Sequence, residues 1–107
     1  MTGLKKNTDF AAVYGKGKSK ADRNLVLYSL QNEREESRFG VSVSKKVGNS
    51  VVRHRIKRRL KEIYRLNEDR FAKGKDYVVI ARAHAANAAY EELQNSLTGL
   101  MNVIHSN

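Results

Sequence analysis

The sequence predicts an α+β domain, in which helices pack against one sheet. Strong alternation at 24–31 and 38–44 predicts two strands, and a nearly continuous apolar run at 76–82 predicts a strand buried on both faces. Amphipathic patterns at about 50–72 and 88–105 predict two helices. The predicted order is α-β-β-(β)-α-β-α, where the bracketed strand is a short additional one, and the 107 residues are expected to form one domain, 1–107.

The first predicted helix is the segment TDFAAVY, residues 8–14. Thr8 is a good N-cap, and Phe10 and Tyr14 lie on one helix face because they are four residues apart. The following GKGKSKADR segment is rich in glycine and lysine, which indicates a loop or a weak edge strand near residues 16–22.

The two alternating strands are separated by the polar segment NEREES, which predicts a hairpin between them. Side chains of a strand point alternately to opposite faces of the sheet. The apolar side chains of the second strand are Phe39, Val41 and Val43. Its small side chains are Gly40, Ser42 and Ser44. We expect the first set to face the core and the second set to form a candidate binding surface.

The two later helices have recognisable ends. Asn49 or Ser50 is predicted to cap the central helix, and Gly74 is predicted to end it. AHAANAA is predicted to be a loop that leads into the last helix. The core side of that helix is Leu93, Leu97, Leu100, Met101 and Ile104.

Charge is concentrated in one fifth of the chain. The net charge is +10 and the isoelectric point is about 10.1, which for so small a domain indicates a polyanionic partner. Residues 1–44 carry 8 basic and 5 acidic groups, residues 45–65 carry 9 and 1, and residues 66–107 carry 4 and 5. The central segment therefore supplies +8 of the total.

That segment, KKVGNSVVRHRIKRRLKEIYR, combines an apolar stripe with a cationic face. At 100° per residue its apolar side chains fall within an arc of about 120°. They are Val52, Ile56, Leu60, Ile63 and Tyr64. The opposite side carries Arg55, Lys57, Arg58, Lys61 and Arg65, with Arg53 and Arg59 at the boundary. Lys45 and Lys46 precede the helix and are expected beside its N-terminus, where free N–H groups favour anions.

A charged helix face is usually a solvated surface, but such a surface generally mixes charges of both signs. Here a single glutamate accompanies nine cations, and the repulsion between cations four residues apart would be relieved by phosphates. Binding to a membrane surface or to a calmodulin-like protein is an alternative use of the pattern. It is disfavoured because the domain needs the apolar stripe for its own core.

These residues resemble a known family. SVSKKVGNSVVRHRIKRRLKEIYR is similar to the signature of the protein subunit of bacterial ribonuclease P, in which Arg-Asn-Arg is followed by Ile-Lys-Arg. Here the signature stands as Arg53-His54-Arg55 followed by IKR. The segments LKKNTDFAAVYGKGK, NLVLYSL, DYVVIAR and AYEELQNSL also match in order, so the resemblance covers nearly the whole chain.

The resemblance implies an α/β sandwich, similar to a ribosomal-protein domain, with a left-handed βαβ crossover through the basic helix. The general rule predicts a right-handed crossover. It implies a protein that assists a catalytic RNA in cutting the 5′ leader from precursor tRNA. In this family the RNA and its bound Mg²⁺ carry out the hydrolysis, and the protein binds the RNA and the leader. We expect one protein per ribonuclease P RNA, in the cytoplasm and away from membranes.

The resemblance also implies two sets of binding residues. Contacts to the catalytic RNA are expected from Lys45, Lys46, Arg53, His54, Arg55, Lys57, Arg58, Lys61 and Arg65. A leader-binding cleft is expected from Phe10, Tyr14, Tyr28, Ser42 and Ser44. Aromatic faces can stack on the bases of a single strand with little sequence preference. Core packing is the alternative for Phe10, and also for Tyr28, which shares its strand face with Val26 and Leu30.

The residue types disfavour other functions. The absence of cysteine excludes disulfides, thiolate metal sites and a cysteine nucleophile. None of the patterns HxH, HExxH or DxD occurs, so we expect no catalytic or metal-binding residues and disfavour a protein nuclease. No apolar run long enough to span a membrane and no signal peptide are found.

A ribosomal or general RNA-binding protein remains the alternative function. His54 stands where the family usually has asparagine, and this substitution changes the hydrogen-bonding groups at that position.

Overall fold

Three α-helices and five strands are found in the computed structural model, which describes residues 2–4 and 6–105. The elements in chain order are β1 (Thr2–Gly3), α1 (Asn7–Lys16), β2 (Lys18–Ala21), β3 (Leu25–Gln31), β4 (Arg38–Ser42), α2 (Ser50–Leu66), β5 (Lys75–Ala81) and α3 (Tyr90–Ile104). Short 3₁₀ helices cover Glu68–Arg70 and Ala83–Asn87. The predicted α+β class is confirmed, and the two-residue strand β1 is an addition to the predicted order.

The strands form one sheet in the order β1-β4-β5-β3-β2. β5 lies at its centre, parallel to β4 and antiparallel to β3. Four consecutive residues of β5 are buried, which confirms the prediction of a strand covered on both faces. The predicted hairpin between residues 24–31 and 38–44 is wrong, because the more apolar β5 inserts between these two strands. β3 instead pairs with β2, which confirms the edge strand near residues 16–22.

The helices cover the two faces of the sheet unequally. α2 and α3 pack on one face around the larger core, and every predicted core residue of α3 is buried there. α1 lies on the other face, where Val13 packs with Leu4 and Val78 in a smaller cluster. The chain crosses from β4 through α2 to the parallel strand β5. The left-handed sense of this βαβ crossover stays a prediction.

The central helix ends earlier than predicted. α2 stops at Leu66, where the backbone N–H of Asn67 donates to the carbonyls of Ile63 and Tyr64 and its side-chain amide donates to Ile63 at 2.8 Å. These bonds satisfy carbonyls that another helical turn would have used. Gly74, at φ +75°, belongs to the turn before β5 and not to the helix end.

The helix starts are partly as predicted. Asn49 caps α2, since its side-chain oxygen accepts from the N–H of Val52 at 3.0 Å. Thr8 is not the cap of α1, because that helix begins one residue earlier at Asn7 and its cap position, Lys6, makes no side-chain capping bond. The segment predicted as the loop AHAANAA is mostly a 3₁₀ helix.

Candidate nucleic-acid interface

The apolar stripe of α2 is fixed in the larger core. Ile56, Leu60, Ile63 and Tyr64 are buried, and Val52 packs against the same core in a partly buried position. The Tyr64 ring stacks on Phe39 of β4 with centroids 4.2 Å apart, and its hydroxyl is hydrogen-bonded to Ser37. Burial raises the pKa of Tyr64 and keeps the hydroxyl protonated. The helix therefore cannot rotate, and the opposite face is held outward.

The outward face carries the predicted cations. Arg58, Lys61 and Arg65 are exposed, as is His54, and the other arginines and lysines of α2 are half-buried: Arg53, Arg55, Lys57 and Arg59. Within residues 2–4 and 6–105, none of the lysines or arginines of the 45–65 segment forms an ion pair. Uncompensated cations on a rigid helix are typical of a surface that binds phosphates.

Two arginines of this face are oriented by the backbone. The Arg53 Nε donates to the carbonyl of Gly48 at 3.2 Å, and the Arg55 Nη2 donates to the carbonyl of Ala86 at 3.4 Å. Each guanidinium keeps further N–H groups for a ligand, since arginine has five donors. These bonds reduce the side-chain entropy lost on binding.

The turn between β4 and α2 adds cations at the helix N-terminus. Lys45 and Lys46 are exposed there, while the adjacent Val47 is buried and anchors the turn. The turn passes close to the helix at Gly48, where a Cβ would lie 2.8 Å from a methyl carbon of Val52. The two lysines lie in the turn that precedes α2, and their contact with an anion at the helix N-terminus stays a prediction.

Three predicted cleft aromatics form a continuous row on the other face of the sheet. The centroids of Phe10 and Tyr14 lie 6.3 Å apart, and those of Tyr14 and Tyr28 lie 5.1 Å apart in an edge-to-face arrangement. Tyr14 is 39% exposed, while Phe10 and Tyr28 are half-buried. All three are thus at least partly exposed, and stacking on a base requires such exposure.

The row leads into a cavity that joins α1 to α2. This cavity, of about 330 Å³, is lined by Phe10, Tyr14, Ser42, Lys57 and three further residues, Asn7, Val41 and Val43. Lys57 was not predicted to line this cavity, because it belongs to α2 and the sequence analysis assigns it only to the cationic face. The cavity therefore joins aromatic surface to a cation. Tyr28 is not among the lining residues, but its ring contacts that of Tyr14, which is. Ser44 lies beyond the end of β4 and does not line the cavity either.

Phe10 is both a packing residue and a cleft residue. Its ring packs against Leu4, Val13 and Val78, as the alternative interpretation predicted, yet it also lines the cavity. The ring lies so close to the sheet that a Cβ on Gly40 would come within 2.7 Å of its Cζ. Gly40 is thus needed for its small size.

A buried ion pair holds α1 beside this cavity. Arg38 of β4 donates to both carboxylate oxygens of Asp76 of β5, at 2.8 and 2.6 Å, and lies 3.4 Å from a carboxylate oxygen of Asp9 of α1. Burial favours the neutral form of Asp76, but hydrogen bonds from Arg38 and Asn32 outweigh it and lower the pKa. The hydrogen bond to Asp76 likewise raises the pKa of Arg38. This network tethers the first turn of α1 to the sheet.

The other two histidines are hydrogen-bonded to residues outside α2. His84 Nδ1 is 2.7 Å from the side-chain oxygen of Asn24, and His105 Nε2 is 2.8 Å from the hydroxyl of Tyr77. Among the described residues, no group of three or more His, Cys, Asp or Glu side chains is arranged to hold a metal ion. In the same part of the chain, no helix has the length and apolarity needed to cross a membrane.

Comparison with known proteins agrees with this geometry. A family model described as Ribonuclease P matches residues 2–105. The ribonuclease P protein component of Alkaliphilus metalliredigens is 49% identical over 98 residues, 92% of this chain and 88% of the relative. That of Clostridium kluyveri is 50% identical over 100 residues, 92% of this chain and 89% of the relative.

Solved structures show the same fold. The Staphylococcus aureus RNase P protein superimposes with a TM-score of 0.91 at 39% identity, over 98% of this chain and 96% of that one. The Thermotoga maritima RNase P protein gives 0.89 at 28% identity, over 99% and 100% of the two chains. The chain therefore belongs to the ribonuclease P protein family.

Proposed function

We propose that this chain binds a ribonuclease P RNA through the cationic face of α2 and the two lysines of the preceding turn. The observation that carries the proposal is a row of cations that form no ion pair with any described residue, on a helix whose other side is packed into the core. Membership in the family supplies the identity of the polyanion. The proposed stoichiometry is one protein per RNA, acting in the cytoplasm.

We propose that the cleft beside α1 binds the single-stranded 5′ leader of precursor tRNA. Phe10, Tyr14 and Tyr28 would stack on unpaired bases, and Lys57 would contact a leader phosphate from within the same cavity. Ser42 would supply a hydroxyl at the cavity wall. Because Lys57 belongs to α2, one rigid helix would hold the catalytic RNA and the leader in fixed relative positions.

In this proposal the protein supplies binding and orientation, and hydrolysis belongs to the RNA partner. Mg²⁺ held mainly by the RNA would activate water and stabilise developing charge. The side chains of the interface support this division, since cations, aromatic rings and hydroxyls suit phosphate and base contacts better than proton transfer.

Reconstitution tests the proposal directly. The protein is mixed with a bacterial ribonuclease P RNA and precursor tRNA at low Mg²⁺, and leader removal is measured. We expect clear stimulation. A protein that binds the RNA without stimulating cleavage would instead be a general RNA-binding protein.

The salt dependence of RNA binding tests the cationic face. About five to eight phosphate contacts predict a slope of log K against log salt near −3.5 to −7. Arg58→Gln with Lys61→Gln, both exposed, should make the slope shallower by about two. Lys73→Gln, an exposed cation outside α2, is the matched control and should change it little. A slope near zero for the unchanged protein would refute the interface.

A further inference from the structure

A valine interrupts the cationic face of α2. Val51 is 71% exposed, the largest exposed fraction among the large hydrophobic side chains of residues 2–4 and 6–105. The adjacent Val52 packs against the larger core, whereas Val51 belongs to neither core cluster of the described residues. A single exposed apolar side chain is common on protein surfaces. The surroundings of Val51 therefore decide whether it has a role.

Val51 lies in a groove on the surface of α2. The groove has a volume of about 500 Å³ and is lined by Ser50, Val51, His54, Arg55 and Arg58. Most of these residues are three or four positions apart along the helix, so their side chains are neighbours on one helix face. The groove shares no lining residue with the cleft beside α1. It is a separate part of the RNA surface proposed above.

The groove combines flat and apolar surface with charge. His54 is exposed, and within the described part of the chain its ring has no hydrogen-bond or ion-pair partner. Arg58 is also exposed, while the guanidinium of Arg55 is oriented by its bond to the carbonyl of Ala86. Imidazole rings and guanidinium planes both stack on unpaired RNA bases. Methyl groups of a valine can pack against the face of the same base.

A phosphate alone does not account for this composition. Arg55 and Arg58 supply the charge and the hydrogen-bond donors that phosphate oxygens need, and a phosphate gains nothing from the methyl groups of Val51. A nucleotide matches the whole groove, because its base is flat and apolar on both faces and its phosphates carry negative charge. The bases of an RNA duplex are stacked on one another, so only an unpaired base could enter.

We propose that this groove binds an unpaired base of the ribonuclease P RNA. Val51 and the ring of His54 contact the face of the base, and Arg55 and Arg58 contact the flanking phosphates. The proposal rests on the RNA-binding function proposed for α2 and deepens it. It assigns a single-stranded loop or bulge of the RNA to the first turns of the helix, in addition to the charge of the RNA backbone.

Methyl NMR of the protein bound to a bacterial ribonuclease P RNA tests the proposal directly. The ring current of a base stacked over Val51 moves its methyl signals upfield, and a phosphate contact does not. We expect this shift for Val51 and no comparable shift for Val103, which is 48% exposed on α3. Val51 methyl signals that do not move upfield in the saturated complex overturn the proposal.

Substitution of Val51 measures what the apolar contact contributes. Val51→Ser should weaken RNA binding about threefold to tenfold, because it removes apolar surface that the base covers. The slope of log K against log salt should not change, since no charge is removed. Val103→Ser is the matched control and should bind the RNA as tightly as the unchanged protein. A Val51→Ser protein that binds equally tightly would contradict the base contact.

Substitution of His54 separates ring stacking from charge. His54→Ala should weaken RNA binding about tenfold through loss of a stacked ring. His54→Phe keeps a flat ring without N–H groups or charge and should restore most of the affinity. If His54→Phe binds as weakly as His54→Ala, the imidazole acts through its N–H groups or its charge, and the base contact is overturned. Thermal unfolding of each variant checks that the fold is intact.

Failure of the base site and failure of the RNA surface give different results. Without the base site, the unchanged protein still binds the RNA with the salt slope expected for the cationic face, and the Val51 methyl signals do not move upfield. Without the RNA surface, the salt slope of the unchanged protein is near zero. That second result removes both the RNA surface and the base site that rests on it.

Discussion

The two faces of the sheet use aromatic residues for different purposes. On the face covered by α2 and α3, Phe39, Tyr64, Phe71 and Tyr77 form a closed cluster with neighbouring centroids 4.2 to 5.0 Å apart, and each is at most 3% exposed. On the face covered by α1, the row Phe10, Tyr14 and Tyr28 remains partly open. The difference shows that coverage of the face, and not residue type, separates a buried aromatic side chain from a partly exposed one.

The cause of the difference is the number and length of the covering helices. α2 and α3 have 17 and 15 residues and bury a continuous stripe each, whereas α1 has 10 residues and a single buried side chain, Val13. A short helix cannot cover a five-stranded sheet. The uncovered part of the α1 face is therefore accessible, and the contact between Arg38 and Asp9 joins the first turn of α1 to the sheet.

The largest expected effect is on the closed face. Phe39→Ala should lower the free energy of unfolding by about 3–5 kcal/mol, because it removes a ring stacked on Tyr64 and leaves a cavity. Urea denaturation measures the loss. A loss below about 1 kcal/mol would mean that the two faces do not differ in packing.

The next effect concerns the ion pair on the α1 face. Asp76→Asn should cost about 3 kcal/mol, since Arg38 would lose its bidentate partner while remaining largely buried. The folded state lowers the pKa of Asp76, so its stabilisation is present above the ordinary aspartate range and is lost as pH falls through the folded pKa. Below about pH 4, the unfolding free energy of the unchanged protein should therefore fall more steeply than that of Asp76→Asn. Parallel pH profiles of the two proteins would contradict this role.

A smaller effect is expected where the cleft meets the sheet. Gly40→Ala should cost about 1–3 kcal/mol and displace the ring of Phe10, because the new methyl group would overlap it. Leader affinity should fall while assembly with the RNA is retained. Gly15→Ala, at a position with open space around the Cβ, is the matched control and should not reduce stability. In a double-mutant cycle, Phe10→Ala should remove most of the cost of Gly40→Ala.

The smallest effect on stability is expected at the open end of the aromatic row. Tyr14→Ala should change the unfolding free energy by less than about 1 kcal/mol, because the ring is 39% exposed. It should nevertheless weaken binding of precursor tRNA by about 1–3 kcal/mol through loss of a stacked base. Mature tRNA without a leader is the control ligand and should bind both proteins equally. Equal weakening for both ligands would place Tyr14 outside the leader site.

Local patterns predicted most elements well, and competing contacts account for the errors. The stripe of α2 and the core side of α3 follow helical periodicity and were predicted residue by residue. The predicted end of α2 at Gly74 is wrong, because Asn67 donates to the last free carbonyls of the helix and ends it at Leu66. The predicted hairpin is wrong because strands that are neighbours in sequence need not pair. β5, the most apolar predicted strand, occupies the sheet centre between β3 and β4.

The sequence by itself determined the α+β class, the cationic helix and the family resemblance, because each depends on local periodicity or on an ordered set of motifs. Only the tertiary structure placed Lys57 in the aromatic cavity and joined Arg38 to Asp76 and Asp9. These groupings unite residues that are distant along the chain. Sheet order and helix placement set such distances, and no local pattern encodes them.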